Sequence, residues 1–195
     1  MKRLLKAGVA AVVLAAASVS VQAANVSFTG ALTGDNDVAL FAFTLAADSD
    51  VTLRTWSYGG GVNAAGSVIA AGGFDPIVSL FYGSGSSALL IGANDDGLSV
   101  APDSLLQVLA LISGTYTVAL TQANNFANGP TLGDGFLGYS NAPGFDGRSG
   151  AWALDILGVD SAAAVPEPAS LALAMLGLAA ATAGLGRSRL LGRQS

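Results

Sequence analysis

Asn94, Asp95 and Asp96 stand together in one turn, and Asp75 and Asp103 each adjoin the end of an expected strand. Five oxygen-bearing side chains at one rim of a domain match what Ca²⁺ takes, six to eight hard oxygens from carboxylates, amides, main-chain carbonyls and water. The expected cofactor is therefore Ca²⁺ on Asp75, Asn94, Asp95, Asp96 and Asp103, although the EF-hand spacing is absent. A second reading stands beside it, because Asp and Asn favour turns by hydrogen bonding to their own backbone. Asp35, Asn36 and Asp37 form another such cluster.

Catalysis has fewer supports. Neither histidine nor cysteine occurs in the 195 residues, so Ser-His-Asp and Cys-His nucleophile systems cannot be assembled, nor can thiolate metal sites. Gly83-Ser84-Gly85-Ser86 follows a strand and reads as a hairpin turn. A glycosidase needs two carboxylates roughly 5–9 Å apart, whereas Asp95 and Asp96 are neighbours that a strand would point to opposite faces. Asp-Thr-Gly and Asp-Ser-Gly do not occur. The domain is expected not to be an enzyme. A ligand-binding alternative rests on Phe126, Phe136, Tyr139 and Phe145, spaced through an Asn-, Gly- and Pro-rich loop, residues 123–150. Their rings would stack on sugars such as those of an exopolysaccharide, or fold the loop back over the domain.

These residues are carried by an all-β domain. Short apolar runs recur every eight to twelve positions, bounded by turn chemistry such as Gly34-Asp35-Asn36-Asp37, Asp96-Gly97 and Ser113-Gly114. Strands are expected at 26–32, 38–45, 51–58, 77–82, 89–93, 105–111, 115–121 and 151–158. Alternation is plainest where Tyr116, Val118 and Leu120 oppose Thr115, Thr117 and Ala119. The architecture expected is an antiparallel two-sheet sandwich, jelly-roll-like, of about eight strands. Its buried set is Phe41, Phe43, Leu53, Ile77, Leu80, Tyr116, Val118, Leu120, Trp152, Leu154 and Ile156.

The two ends read differently. Lys2, Arg3 and Lys6 precede an apolar run, Ala7 to Val19, and a small-x-small site at Val21-Gln22-Ala23. That is a signal peptide, residues 1–23, for signal peptidase. At the other end Val165-Pro166-Glu167-Pro168 leads into seventeen uncharged residues, Ala169 to Leu185, and then Arg187, Arg189 and Arg193. As a helix this run spans roughly 25 Å, enough for a bilayer core, and the arginines hold the tail inside. Residues 24–164 are thus an exported ectodomain and 165–195 a membrane-directed tail. Between Ala24 and Val165 lie twelve aspartates and no glutamate, against Arg54 and Arg148, a net charge of −10. Such a surface repels phosphate backbones, so no nucleic-acid partner is expected.

The tail resembles the PEP-CTERM sorting signal of Gram-negative bacteria, on Pro166, Glu167 and Pro168, the apolar run and the basic cluster Arg187, Arg189 and Arg193. That resemblance implies exosortase as processing partner, cleavage near the Pro-Glu-Pro, an inner-membrane intermediate, and delivery to the cell surface or an extracellular exopolysaccharide matrix. The strand order from Phe41-Ala42-Phe43-Thr44-Leu45 through Asp75-Pro76-Ile77, Asn94-Asp95-Asp96 and Asp103-Ser104-Leu105 to Thr115-Tyr116-Thr117-Val118 is similar to the bacterial pre-peptidase C-terminal domain. Residues 59–73 and 123–150 depart from that pattern as insertions. A non-catalytic surface or matrix protein is the function these features imply, with a carbohydrate-binding or adhesive module as the alternative.

Overall fold

The computed structural model describes residues 24–97, 102–138 and 144–166. Eleven strands run in chain order: β1 (Ala24–Ala31), β2 (Ala39–Leu45), β3 (Ser49–Trp56), β4 (Gly61–Val62), β5 (Val68–Ile69), β6 (Pro76–Tyr82), β7 (Leu89–Asn94), β8 (Leu105–Leu111), β9 (Gly114–Gln122), β10 (Ala151–Val159) and β11 (Ser161–Val165). They make a four-stranded sheet, β1-β10-β3-β8, a five-stranded sheet, β11-β2-β9-β6-β7, and a small β4-β5 hairpin. Every ladder between these strands is antiparallel. The eight expected strands are all present, within two residues of their expected bounds. The count rises to eleven because β4 and β5 lie in the 59–73 insertion and β11 follows β10 after a single residue, Asp160.

Period-two burial explains why the sheets stack. On β3, Val51, Leu53 and Thr55 are buried while Thr52, Arg54 and Trp56 are half-exposed, so one face is apolar and must find another. The partner face comes from Phe41 and Phe43 on β2, Val78 and Leu80 on β6, and Tyr116, Val118 and Leu120 on β9. Phe43 stacks on Tyr116 at 4.9 Å, and Phe41 meets the edge of Trp152 at 5.6 Å. All eleven residues expected in the core are buried. At roughly 25 cal/mol per Å² of apolar surface, this interior is the main term holding the sheets together.

The outer face of the five-stranded sheet is buried too. Phe81, Ala88 and Ala119 form a second cluster with Leu90, Ala127, Leu132 and Phe136 packed against it. The segment after β9 is pinned there by main-chain bonds: Leu90 N–H to Pro130 O (2.8 Å), Leu132 N–H to Ala88 O (2.9 Å) and Gly133 N–H to Ser86 O (2.8 Å). Glycine is needed at 133, because a Cβ there would sit 2.7 Å from Ser86 O. The loop read as a ligand grip is in large part a third layer. No helix among the described residues is long and apolar enough to cross a membrane; the runs expected as signal peptide, residues 1–23, and membrane helix, 169–185, lie outside them.

Candidate functional site

The carboxylates expected to gather around calcium divide into two kinds. Asp103, 9% exposed, accepts from the backbone of the chain leaving β3: Ser57 N–H (2.7 Å) and Tyr58 N–H (3.1 Å) on Oδ1, and Gly59 N–H (2.8 Å) on Oδ2. The Thr55 hydroxyl adds a long donation to Oδ1 at 3.4 Å. Asn94 Oδ1 accepts from Leu105 N–H at 2.8 Å, seating the first residue of β8. Ser104 Oγ lies 2.6, 2.7 and 2.9 Å from the carbonyls of Pro76, Asn94 and Asp95. These side chains tie four strand ends together, those of β3, β6, β7 and β8, because peptide groups at strand ends have no ladder partner and must be satisfied by something else.

Asp75 and Asp95 are different. One carboxylate oxygen of each, Oδ1, is closed off from solvent with no hydrogen-bond partner. Burial, then the charges of Asp95, Asp96 and Asp103, pushes the Asp75 carboxyl up to about 7, with Arg148 opposing. Asp95 is raised by burial and by Asp96. Among the described residues, no group of three or more carboxylate, histidine or cysteine side chains is arranged to hold a metal ion. Of the five residues expected to hold Ca²⁺, Asn94 and Asp103 turn oxygens to the protein's own amides, while Asp75 and Asp95 each keep a buried Oδ1 without a partner. Asp37 is a turn former, its Oδ2 taking Thr33 N–H at 2.7 Å and Gly34 N–H at 2.9 Å, whereas Asp35 Oδ1 reaches across the fold to Phe145 N–H at 2.7 Å.

On its other side Asp75 lines a cavity of about 340 Å³ with Tyr58, Gln122, Asn124, Phe145, Asp146 and Arg148. Gln122 is 3% exposed, and its Oε1 has no partner either. Arg148 is built in rigidly: Nε donates to Gly73 O (2.6 Å), Nη2 donates to Tyr58 O (3.1 Å), and the guanidinium lies 3.4 Å over the Tyr58 ring. Of four non-glycine residues with left-handed φ among those described, three line this cavity: Asn124 (73°), Phe145 (55°) and Asp146 (54°). Asn and Asp tolerate that region, whereas a bulky Phe adopts it only when its surroundings impose it. The Asp35 bond and the stacking of Phe145 on Phe74 at 5.3 Å do so here. A fixed guanidinium, amide and carboxylate side chains and an aromatic wall around one cavity suit a polyhydroxylated ligand, since each hydroxyl both donates and accepts.

The aromatic residues expected to contact a ligand are placed differently from one another, and Phe145 lines the cavity. Phe145 is buried and Phe136 packs against the second cluster. Phe126 keeps an exposed ring, and Tyr139 lies outside the described residues. Gln122 is the residue that sequence reasoning missed. It ends β9 with no motif around it, and only its pairing with Pro76 across the ladder brings it beside Asp75.

At the C-terminal end β11 runs along the edge of the five-stranded sheet, Ser161 opposite Thr44 and Val165 opposite Leu40. Residues 164–189 match the PEP-CTERM protein-sorting motif. The chain carries a PEP-CTERM sorting signal. A chain with this motif is a substrate that exosortase sorts to the cell surface. The match starts inside β11, so the boundary between ectodomain and tail, expected at 164/165, falls within a hydrogen-bonded strand. Pro166 follows Val165 directly, while Glu167, Pro168, Arg187, Arg189 and Arg193 lie outside the described residues. Among curated proteins nothing matches the chain.

Proposed function

We propose that this protein is a non-catalytic component of the bacterial surface or extracellular matrix, cleaved by exosortase after signal peptidase has removed residues 1–23. In this reading a Gram-negative inner membrane holds the intermediate through residues 169–185. The sandwich, of the pre-peptidase C-terminal kind, is the delivered cargo. The observation that carries it is the PEP-CTERM motif, whose match begins within β11 of the folded domain. A chain without histidine or cysteine supports the non-catalytic part. Intact-mass measurement of protein released from the surface is expected to show a chain starting near Ala24 and lacking the residues beyond the Pro-Glu-Pro. Surface chains that still reach Ser195 would overturn the proposal.

A second reading, carbohydrate binding, is favoured by the cavity and moves from the loop aromatics to Asp75, Gln122 and Arg148. Gln122→Leu would then weaken retention on isolated exopolysaccharide at least fivefold and leave the fold intact, while Phe126→Ala would not. Equal retention of both variants and the unaltered protein removes this reading and leaves the first in place.

A further inference from the structure

Two neighbouring strands near the C-terminus are held very differently. β10 is an inner strand, paired with β1 on one side and β3 on the other, with Trp152, Ala153, Leu154, Asp155 and Ile156 all buried. β11 is an edge strand reading Ser-Ala-Ala-Ala-Val, in which Ala162 alone is half-buried and the other four residues are exposed. Its attachments are the ladder to β2, the packing of Ala162 against the core, a Thr44 Oγ1–Ser161 Oγ hydrogen bond of 2.8 Å, and, at its start, Asp160 N–H donating to Thr44 O (3.1 Å) and Ala46 N–H to the Asp160 carboxylate. Methyl groups left in water contribute almost nothing to holding a strand, because burial stabilises in proportion to the apolar area removed from water.

The same strand is the stretch just upstream of the Pro-Glu-Pro. Enzymes that cut peptide bonds take several residues of substrate in extended form, pairing with the main chain. β11 cannot be read that way in place. One of its main-chain edges is occupied by β2, which a cleft that closes around an extended substrate must displace. We propose that β11 is a releasable strand: it leaves β2 to enter the exosortase cleft and is the upstream recognition element for removal of the tail. This rests on the sorting reading above and adds the step that exposes the bond. Weak packing of β11 is then a functional property, low local stability placed where an enzyme must open the fold.

The chain has no cysteine, so a cross-strand staple can be introduced without competition. Ala42 and Ala163 are Cα partners across the β2–β11 ladder. Directly opposed residues of antiparallel strands are about 4.5–5.5 Å apart, inside the span a disulfide bridges. The Ala42→Cys, Ala163→Cys double variant of the full chain, expressed with exosortase, forms the staple in the oxidising compartment. Tail loss is then followed by intact mass. The oxidised double variant is expected to lose its tail at least tenfold more slowly than the unaltered protein. Each single variant, and the double variant after a reductant is added, is expected to be processed at the normal rate, which separates restraint from misfolding. Normal processing of the oxidised staple overturns the releasable strand while leaving the sorting reading untouched. Retention of the tail by the unaltered protein overturns the sorting reading itself. Hydrogen exchange on the full chain gives a second measure without the enzyme. Amides of β11 are expected to exchange at least a hundredfold faster than those of β10, and equal protection of the two strands overturns the proposal.

Discussion

Asp155 and Asp75 are the same residue in the same acidic domain, and their surroundings could hardly differ more. Asp155 is buried on β10 with three donors aimed at it. Ser27 Oγ donates to Oδ1 at 2.5 Å, and Trp56 Nε1 and Ala64 N–H donate to Oδ2 at 2.7 and 3.0 Å. Those three bonds fasten β1, β3 and the β4–β5 insertion to one carboxylate. Asp103 does the same for the chain leaving β3. Asp75 sits where burial and three other carboxylates oppose its charge and one oxygen has no partner. With two basic side chains against twelve aspartates, the domain neutralises few of its acids with counter-charges. It satisfies some with N–H and O–H donors and leaves others in a state that a proton or a ligand would relieve.

The comparison is broken most sharply at Asp103. Replacing it with Ala leaves the amides of Ser57, Tyr58 and Gly59 without their acceptor. The loss is expected to be about 3–5 kcal/mol, since each buried donor left bare costs on the order of 1–3 kcal/mol. Urea unfolding of residues 24–166 measures it, and a loss below about 1 kcal/mol would show that water replaces the carboxylate. Asp155→Asn is the next largest. One amide oxygen remains where two carboxylate oxygens received three donors, and the expected cost is about 1–3 kcal/mol. Trp56 fluorescence shifts in the same titration as its Nε1 bond is lost.

Asp75 works in the opposite sense. Its folded value of about 7 stands above the ordinary 3.8, so between these two values the folded chain holds more protons than the unfolded one. Stability therefore falls as pH rises from about 4 to about 7 and is flat beyond. Asp75→Asn removes the charge and is expected to raise stability by about 1–2 kcal/mol at pH 8, a figure discounted for partial exposure. The gain is expected to vanish near pH 4. A gain that persists at pH 4 would mean packing rather than charge. Calcium is expected to give the smallest effect. Because Asn94 and Asp103 are engaged internally, millimolar Ca²⁺ and a chelator should give midpoints within about a degree of each other, with Mg²⁺ as control. A rise of several degrees in Ca²⁺ alone would establish the metal reading, since an ion binding only the folded state stabilises by mass action.

Strands with a two-residue period and turn residues at both ends were legible, and so was the core that their inward positions form. β11 was not, because Ser-Ala-Ala-Ala-Val shows no alternation and resembles a spacer before the tail. β4 and β5 are two residues each in a glycine-rich stretch, too short for any periodicity. The candidate site was legible by residue type but not by role. Asp103 was found as an oxygen donor in the right corner, yet its partners at 57, 58 and 59 lie more than forty positions away and carry no local signal. Loop aromatics announced themselves by composition, while their burial depended on the face of a sheet that sequence does not display.

The placement of β10 has a consequence for the order in which the molecule can be built. A chain grows from its N-terminus, so β1 is made first among the strands. Its ladder partner is β10, which also lies between β1 and β3. The four-stranded sheet therefore stays open until residues 151–159 have emerged, with Val26 and Phe28 of β1, which pack against the finished core, still waiting for that strand. Pairings this distant in sequence form slowly, and a chain stalled before residue 151 would present the unsatisfied edges of β1 and β3 to its neighbours.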